Sequence, residues 1–155
     1  MRQPSLTLGI EEEYQIVDPA TGELRSYITQ ILEDGRVIVD DLKPELHQSV
    51  EEVGSRVCQT PPEVREEVER LRREVMQLAG RHGLTIMASG THPFASWLDQ
   101  EITPLERYLG IESDLQDLAR KNLMFGCHVH VGIEDPDFLI DAMNVARYFL
   151  PHLLA

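Results

Sequence analysis

From Asn122 to Ile133 (NLMFGCHVHVGI) every second residue is apolar. Leu123, Phe125, Cys127, Val129, Val131 and Ile133 fall on one parity; Asn122, Met124, Gly126, His128, His130 and Gly132 fall on the other. A period of two is that of a strand with one face on a core. The segment is therefore predicted as a strand whose second face carries two imidazoles, flanked by glycines that leave room for a ligand. Ser5 to Val17 has the same rhythm, with Leu6, Leu8, Ile10, Tyr14 and Ile16 on one parity, interrupted only by Glu12. Glu11 and Glu13 then project together from the opposite face, roughly 7 Å apart and mutually repulsive. Each motif also has a plain reading: a His-x-His on a half-exposed strand is more often a solvated pair, and an acidic strand face more often a solvated edge.

Further along, Asp18 to Gly22 is a turn into a return strand at Glu23 to Tyr27. Residues 28 to 42 are ambiguous, with a turn at Asp34-Gly35 and a strand-like Val37-Ile38-Val39. Glu45 to Val57 is a third strand region. Thr60-Pro61-Pro62-Glu63 is a capping box opening a helix that reaches His82 and stops at Gly83. Its apolar stripe is Val64, Val68, Leu71, Val75 and Leu78, with exposed pairs Glu66/Arg70 and Glu69/Arg73. A short strand follows at Leu84 to Ser89, then a sharp turn at Gly90 to Pro93. A second capping box, Thr103 to Glu106, opens a helical region to Lys121, with an interruption expected at Gly110-Ile111. Asp135 and Pro136 cap a last helical pattern running to Ala155, with a kink or break expected at Pro151 and no stop signal, so the chain is expected to continue. Consecutive strands at the start predict one α+β domain over residues 1–155, an antiparallel sheet with helices packed on one face. Its other face would hold Glu11, Glu13, His128 and His130.

Composition narrows the partners. The 155 residues are 42% hydrophobic and 26% charged, and 14 Lys and Arg stand against 27 Asp and Glu, for a net charge of −13. Such acidity argues against nucleic acid as partner and suits a protein that handles cations or metal-chelated nucleotides. Neither a secretory leader nor a run of membrane-spanning length is expected. Cys58 and Cys127 lack metal or redox spacing and are expected as free buried thiols in a reducing cytoplasm.

Carboxylates with one or two imidazoles suit Mg²⁺ or Mn²⁺ better than a structural zinc. The third strand region adds Glu45, Glu51 and Glu52. Strict alternation puts Glu45 and Glu52 on opposite faces, so both reach one site only if a bulge or bend intervenes. Acids on strands around Mg²⁺ are a means of clamping the phosphates of ATP.

Four ordered motifs give the face a family. Gly9-Ile10-Glu11-Glu12-Glu13-Tyr14, Leu42-Lys43-Pro44-Glu45-Leu46 with Gln48 and Glu52-Val53-Gly54, Gly90-Thr91-His92-Pro93-Phe94, and Gly126-Cys127-His128-Val129-His130-Val131-Gly132 span almost the whole chain. Together they resemble the carboxylate–amine ligases of the glutamate–cysteine ligase type 2 family, within the glutamine synthetase-like superfamily, and this chain resembles their N-terminal part. The resemblance implies a curved antiparallel sheet, incomplete here, whose concave face holds divalent cations and ATP. By similarity Glu11, Glu13, Glu45, Glu52 and His128 are metal ligands, and His130 lies near the nucleotide phosphates. The implied chemistry is phosphoryl transfer from ATP to a glutamate carboxylate, followed by attack of the amine of cysteine or an analogue. No residue is assigned to catalysis. A homo-oligomer stays open.

Two other readings remain: a truncated, non-catalytic metal- or nucleotide-binding module, and a His-x-His metallohydrolase of another fold. The late position of the histidines and the early acidic pair count against the second. His92 is a substrate-side candidate, with a turn histidine bonded to backbone as its plainer alternative. Trp97 and Tyr108 could line a pocket, though such aromatics usually pack; Arg107 could face the substrate but is not put forward, and His47 and His152 are unassigned.

Overall fold

The computed structural model describes residues 4–35 and 42–155, so the strand-like Val37-Ile38-Val39 lies outside the described residues. In chain order the elements are β1 (Leu8–Val17), α1 (Ile28–Gly35), β2 (Leu42–Pro44), β3 (Val50–Gly54), α2 (Pro61–Arg81), β4 (Thr85–Met87), a 3₁₀ turn (Trp97–Asp99), α3 (Glu106–Leu115), α4 (Asp117–Arg120), β5 (Cys127–Val131) and α5 (Pro136–Leu154). All strand pairings are antiparallel, and β1 is the hub. On one side it pairs with β3, which carries β2; on the other it pairs with β5 through Leu8 to Glu12 and with β4 through Gln15 to Val17. The α+β class and the open antiparallel sheet are as the pattern predicts.

One face of the sheet is closed by helices. Tyr14 and Ile16 of β1, Leu42, and Val53 of β3 pack with Ile28 and Ile31 of α1 and with Leu71, Val75 and Leu78 of α2. Thr60 caps α2 by accepting from the Glu63 amide, and its hydroxyl donates to the Glu63 carboxylate at 3.2 Å. Gly83, at φ 69°, takes the left-handed conformation that follows the helix end. Thr60→Ala is expected to cost about 1 kcal/mol in urea unfolding. A loss below a few tenths would show that tertiary contacts alone fix this helix start. On the helix surface Arg70 bridges Glu67 at 2.6 Å and Glu74 at 2.8 Å, whereas the sequence pattern pairs it with Glu66. The burial of Glu67 explains its claim on Arg70, because a buried carboxylate needs a cation more than an exposed one does.

Several expectations are corrected. The Glu23–Tyr27 return strand is reduced to a single bridge between Val17 and Leu24, and α1 occupies the ambiguous stretch that follows. The third strand region, expected over Glu45 to Val57, is a strand only at β3; residues 45–49 form the connection from β2, which precedes the expected region. Thr103 does not cap α3: its hydroxyl is used by the Glu45 carbonyl, and the N-cap position is Leu105 with no side-chain cap. The interruption falls at Gln116, at φ 52°, rather than at Gly110. α5 runs through Pro151 without ending. Most consequential, the apolar side of β5 is uncovered: Val129 is 67% exposed, Val131 50%, and Cys127 is exposed rather than buried. α2 covers the sheet only around β4 and the C-terminal half of β1, and no residue of α5 is buried.

Candidate functional site

Residues directly paired across an antiparallel sheet share a face, and the register of β1 decides the arrangement. Glu13 pairs with Glu52, and Lys43 pairs with Glu52 from the far side; Glu11 pairs with Gly54 and His128; Gly9 pairs with His130. The face opposite the helices therefore carries Glu11, Glu13, Glu52, Lys43, His128 and His130 together. Towards the C-terminal end of β1 the same face is closed by a small cluster of Val50, Leu123 and Phe125, with Leu24 and Ala95 against it.

At the open end one oxygen of Glu11 meets both imidazoles, His128 Nδ1 at 3.3 Å and His130 Nε2 at 3.1 Å. The hydrogen bond from His130, with that from His128 behind it, holds the Glu11 carboxyl below its ordinary range despite partial burial. Glu13 is anchored differently: its carboxylate accepts the Gly126 amide at 2.8 Å, while its own amide donates to the Gly126 carbonyl at 3.0 Å. A Cβ on Gly126 would stand 3.0 Å from His128 Nε2 and 3.6 Å from Glu13 Oε1. This glycine keeps open the gap where the imidazole and the carboxylate converge. Gly126→Ala is expected to displace the His128 ring and lower Mn²⁺ affinity about tenfold with little change in stability. Electron paramagnetic resonance of free Mn²⁺ against protein measures it, and unchanged affinity would separate His128 from the ion.

Glu45 joins the group from the 45–49 connection. Burial first, and then the charge of Glu52 beside it, raise its carboxyl, with Glu13 as a further like-charged neighbour. The turn between β2 and β3 is thus the bend that alternation requires for Glu45 and Glu52 to reach one place. Tyr108 stands next to them, its hydroxyl donating to the Pro44 carbonyl at 2.8 Å and pushed up to about 12 by burial and by Glu45. Arg107 lies 4.2 Å over its ring and donates to the same carbonyl. Lys43 Nζ is 3.4 Å from Glu52. Lys43, Arg107 and Tyr108 are thus site neighbours that periodicity does not mark as such.

Four carboxylates and two imidazoles on one rigid face form a hard, oxygen-rich donor set of the kind that suits Mg²⁺ or Mn²⁺. Glu45, held up among like charges, is the group a cation would relieve. As placed, no three ligating side chains among the described residues converge on one point, as expected for carboxylates that repel one another. His92 lies in the connection that follows β4. It is buried, its Nε2 is 2.9 Å from the Gly22 carbonyl, and its Nδ1 accepts the Phe94 and Ala95 amides. The backbone bonds of the plainer alternative are present, and they tie the connection after β4 to the turn that follows β1. His47 is likewise buried, 3.1 Å from the Arg120 carbonyl.

The model of glutamate–cysteine ligase family 2 matches residues 7–155. The chain belongs to that family. A protein of Roseiflexus castenholzii, provisionally named glutamate–cysteine ligase 2, is 61% identical over 150 residues, covering 96% of this chain and 40% of the relative. Proteins with the same provisional name from Chloroflexus aurantiacus and Solibacter usitatus are 59% and 52% identical over 97% and 99% of this chain. The chain spans about two fifths of the length of these curated relatives. No helix among the described residues is long and apolar enough to cross a membrane.

Proposed function

We propose that this chain supplies the cation- and phosphate-facing wall of an ATP-dependent carboxylate–amine ligase with a glutamine synthetase-like fold, working in the cytoplasm. The observation that supports the reading is that Glu11, Glu13, Glu52 and His128 share the sheet face opposite α1 and α2, with Glu45 brought beside Glu52 from the 45–49 connection. Glu11, Glu13, Glu45, Glu52 and His128 would hold Mg²⁺ or Mn²⁺, which supplies screening of phosphate charge. His130, paired with Gly9 two residues before Glu11 and sharing the Glu11 carboxylate, would meet the nucleotide phosphates. The reaction is transfer of the γ-phosphoryl of ATP to a glutamate carboxylate; the amine of cysteine or an analogue then attacks the acyl carbon and phosphate leaves. The chain's own contribution is to orient: β1, β3 and β5 fix the acids in register, and Gly126 and the two imidazoles hold the Glu13 and Glu11 carboxylates. The whole reaction is proposed for a polypeptide of the relatives' length.

The test is a chimaera in which residues 7–155 replace the matching segment of the Roseiflexus castenholzii relative. ADP release that requires both glutamate and an amine is the expected result. A chimaera silent where the parent is active would sink the reading. Mn²⁺ binding without any nucleotide dependence would favour the non-catalytic module instead.

A further inference from the structure

The bend that brings Glu45 beside Glu52 is held from another part of the chain. Three consecutive carbonyls around Glu45 are each taken by the segment that leads into α3. The Tyr108 hydroxyl donates to the Pro44 carbonyl at 2.8 Å, and Arg107 Nη2 donates to the same oxygen at 3.2 Å. The Thr103 hydroxyl donates to the Glu45 carbonyl at 2.5 Å, and the Thr103 amide donates to the Leu46 carbonyl at 2.9 Å. Thr103 and Tyr108 are 4% and 5% exposed, so water does not readily replace either hydroxyl. The partners lie 58 and 64 positions apart, so no local turn preference makes these bonds. They also take something from the helix: with its hydroxyl engaged on Glu45, Thr103 leaves α3 to start at Leu105 without a side-chain cap.

The carboxylate at this bend has reason to move away. Glu45 has Glu52 beside it and Glu13 near it, all of one charge. Its carboxylate accepts the Leu46 amide at 3.2 Å, a contact within the bend that leaves the bend itself free to turn. We propose that Thr103 and Tyr108 are positioning residues for the cation site, fixing the 44–46 backbone so that Glu45 stands with Glu52 and Glu13 before an ion arrives. Holding the acids in place beforehand removes the ordering that binding would otherwise require. The inference rests on the ligase reading for Glu45 as an ion ligand, and adds the residues that make it one. Both act through Glu45, and neither is a ligand.

Mn²⁺ binding by the whole chain, followed by electron paramagnetic resonance in wild-type and Glu45→Gln backgrounds, tests it. Thr103→Val keeps the shape of the side chain and loses the hydroxyl, and is expected to weaken Mn²⁺ binding about tenfold. Tyr108→Phe is expected to weaken it about fivefold, because Arg107 still reaches the Pro44 carbonyl. Thr103→Ser restores the donor and is expected to bind within about twofold of wild type. In the Glu45→Gln background, itself weakened, neither Thr103→Val nor Tyr108→Phe is expected to change affinity by more than about twofold. Circular dichroism checks folding, and Tyr108→Phe decides alone if Thr103→Val does not fold. Losses that persist undiminished in Glu45→Gln, or single variants within about twofold of wild type, overturn the positioning role and leave the ligase reading standing. Unchanged affinity in Glu45→Gln alone removes Glu45 from the site and the positioning role with it. A wild-type chain that binds no Mn²⁺ overturns the ligase reading and this inference together.

Discussion

Glu11→Gln is expected to lower Mn²⁺ affinity on the order of a hundredfold, about 2.7 kcal/mol, while the thermal midpoint moves little. The amide keeps the size of the side chain and loses its charge. It also ends the arrangement in which one carboxylate oxygen serves His128 and His130 at once. Glu12→Gln is the contrast, since Glu12 lies on the helix side of β1, where Arg72 Nε donates to it at 2.9 Å and the Tyr14 hydroxyl completes the cluster. Burial pushes the Glu12 carboxyl up, but the hydrogen bonds from Arg72 and Tyr14 outweigh it and leave it lowered. Loss of Glu12 is therefore expected to show in stability and leave Mn²⁺ affinity within about twofold. Isothermal titration with thermal unfolding separates the two; equal affinity for wild type and Glu11→Gln would remove Glu11 from the site.

Glu51→Leu is expected to stabilise the fold. Glu51 pairs in register with Tyr14, so it points to the helix side, where it is fully buried and neither carboxyl oxygen meets a hydrogen-bond partner among the described residues. Burial pushes its carboxyl up to about 8 from an ordinary 4.5. The unfolded chain releases this proton near the ordinary value while the folded chain keeps it. Stability is thus highest below the lower value and falls as pH rises towards the upper one, by up to about 1.4 kcal/mol per pH unit. Above that window the loss is complete. Glu51→Gln is expected to flatten this slope, and Glu51→Leu to gain about 2–4 kcal/mol at the alkaline end. Urea unfolding across the window decides it: wild-type and Glu51→Gln curves that stay parallel would mean Glu51 finds a partner in solution.

The strands that carry the site were legible because alternation is a local property. Glu11 with Glu13, and His128 with His130, share faces for the same reason that any i, i+2 pair does. Alternation says which residues lie together and nothing about what covers them, which is why Cys127, Val129 and Val131 were expected on a core and stand exposed. Glu45 and Glu52 looked incompatible within one strand and became neighbours through a connection. Thr103 shows the reverse failure, a sound capping signal overridden when a tertiary acceptor, the Glu45 carbonyl, took the hydroxyl. The family resemblance proved right, and it rested on motifs that sit on β1, on β2 and β3 with their connection, in the turn after β4, and on β5.

The central position of β1 also sets an order of events. Glu11 and His128 are 117 positions apart in the chain, yet they meet across adjacent strands. The β1–β3 pairing and the packing of α2 draw on the first half of the chain, so a nascent polypeptide can close that layer early. The strand bearing the imidazoles has to cross the longest loop in sequence before it finds its edge, and closing such a loop is slow. The imidazole side of this molecule's cation face is therefore expected to join last, after the carboxylates of β1 and β3 are in register. An ion present in the medium acts on its final docking step rather than on the collapse of its core.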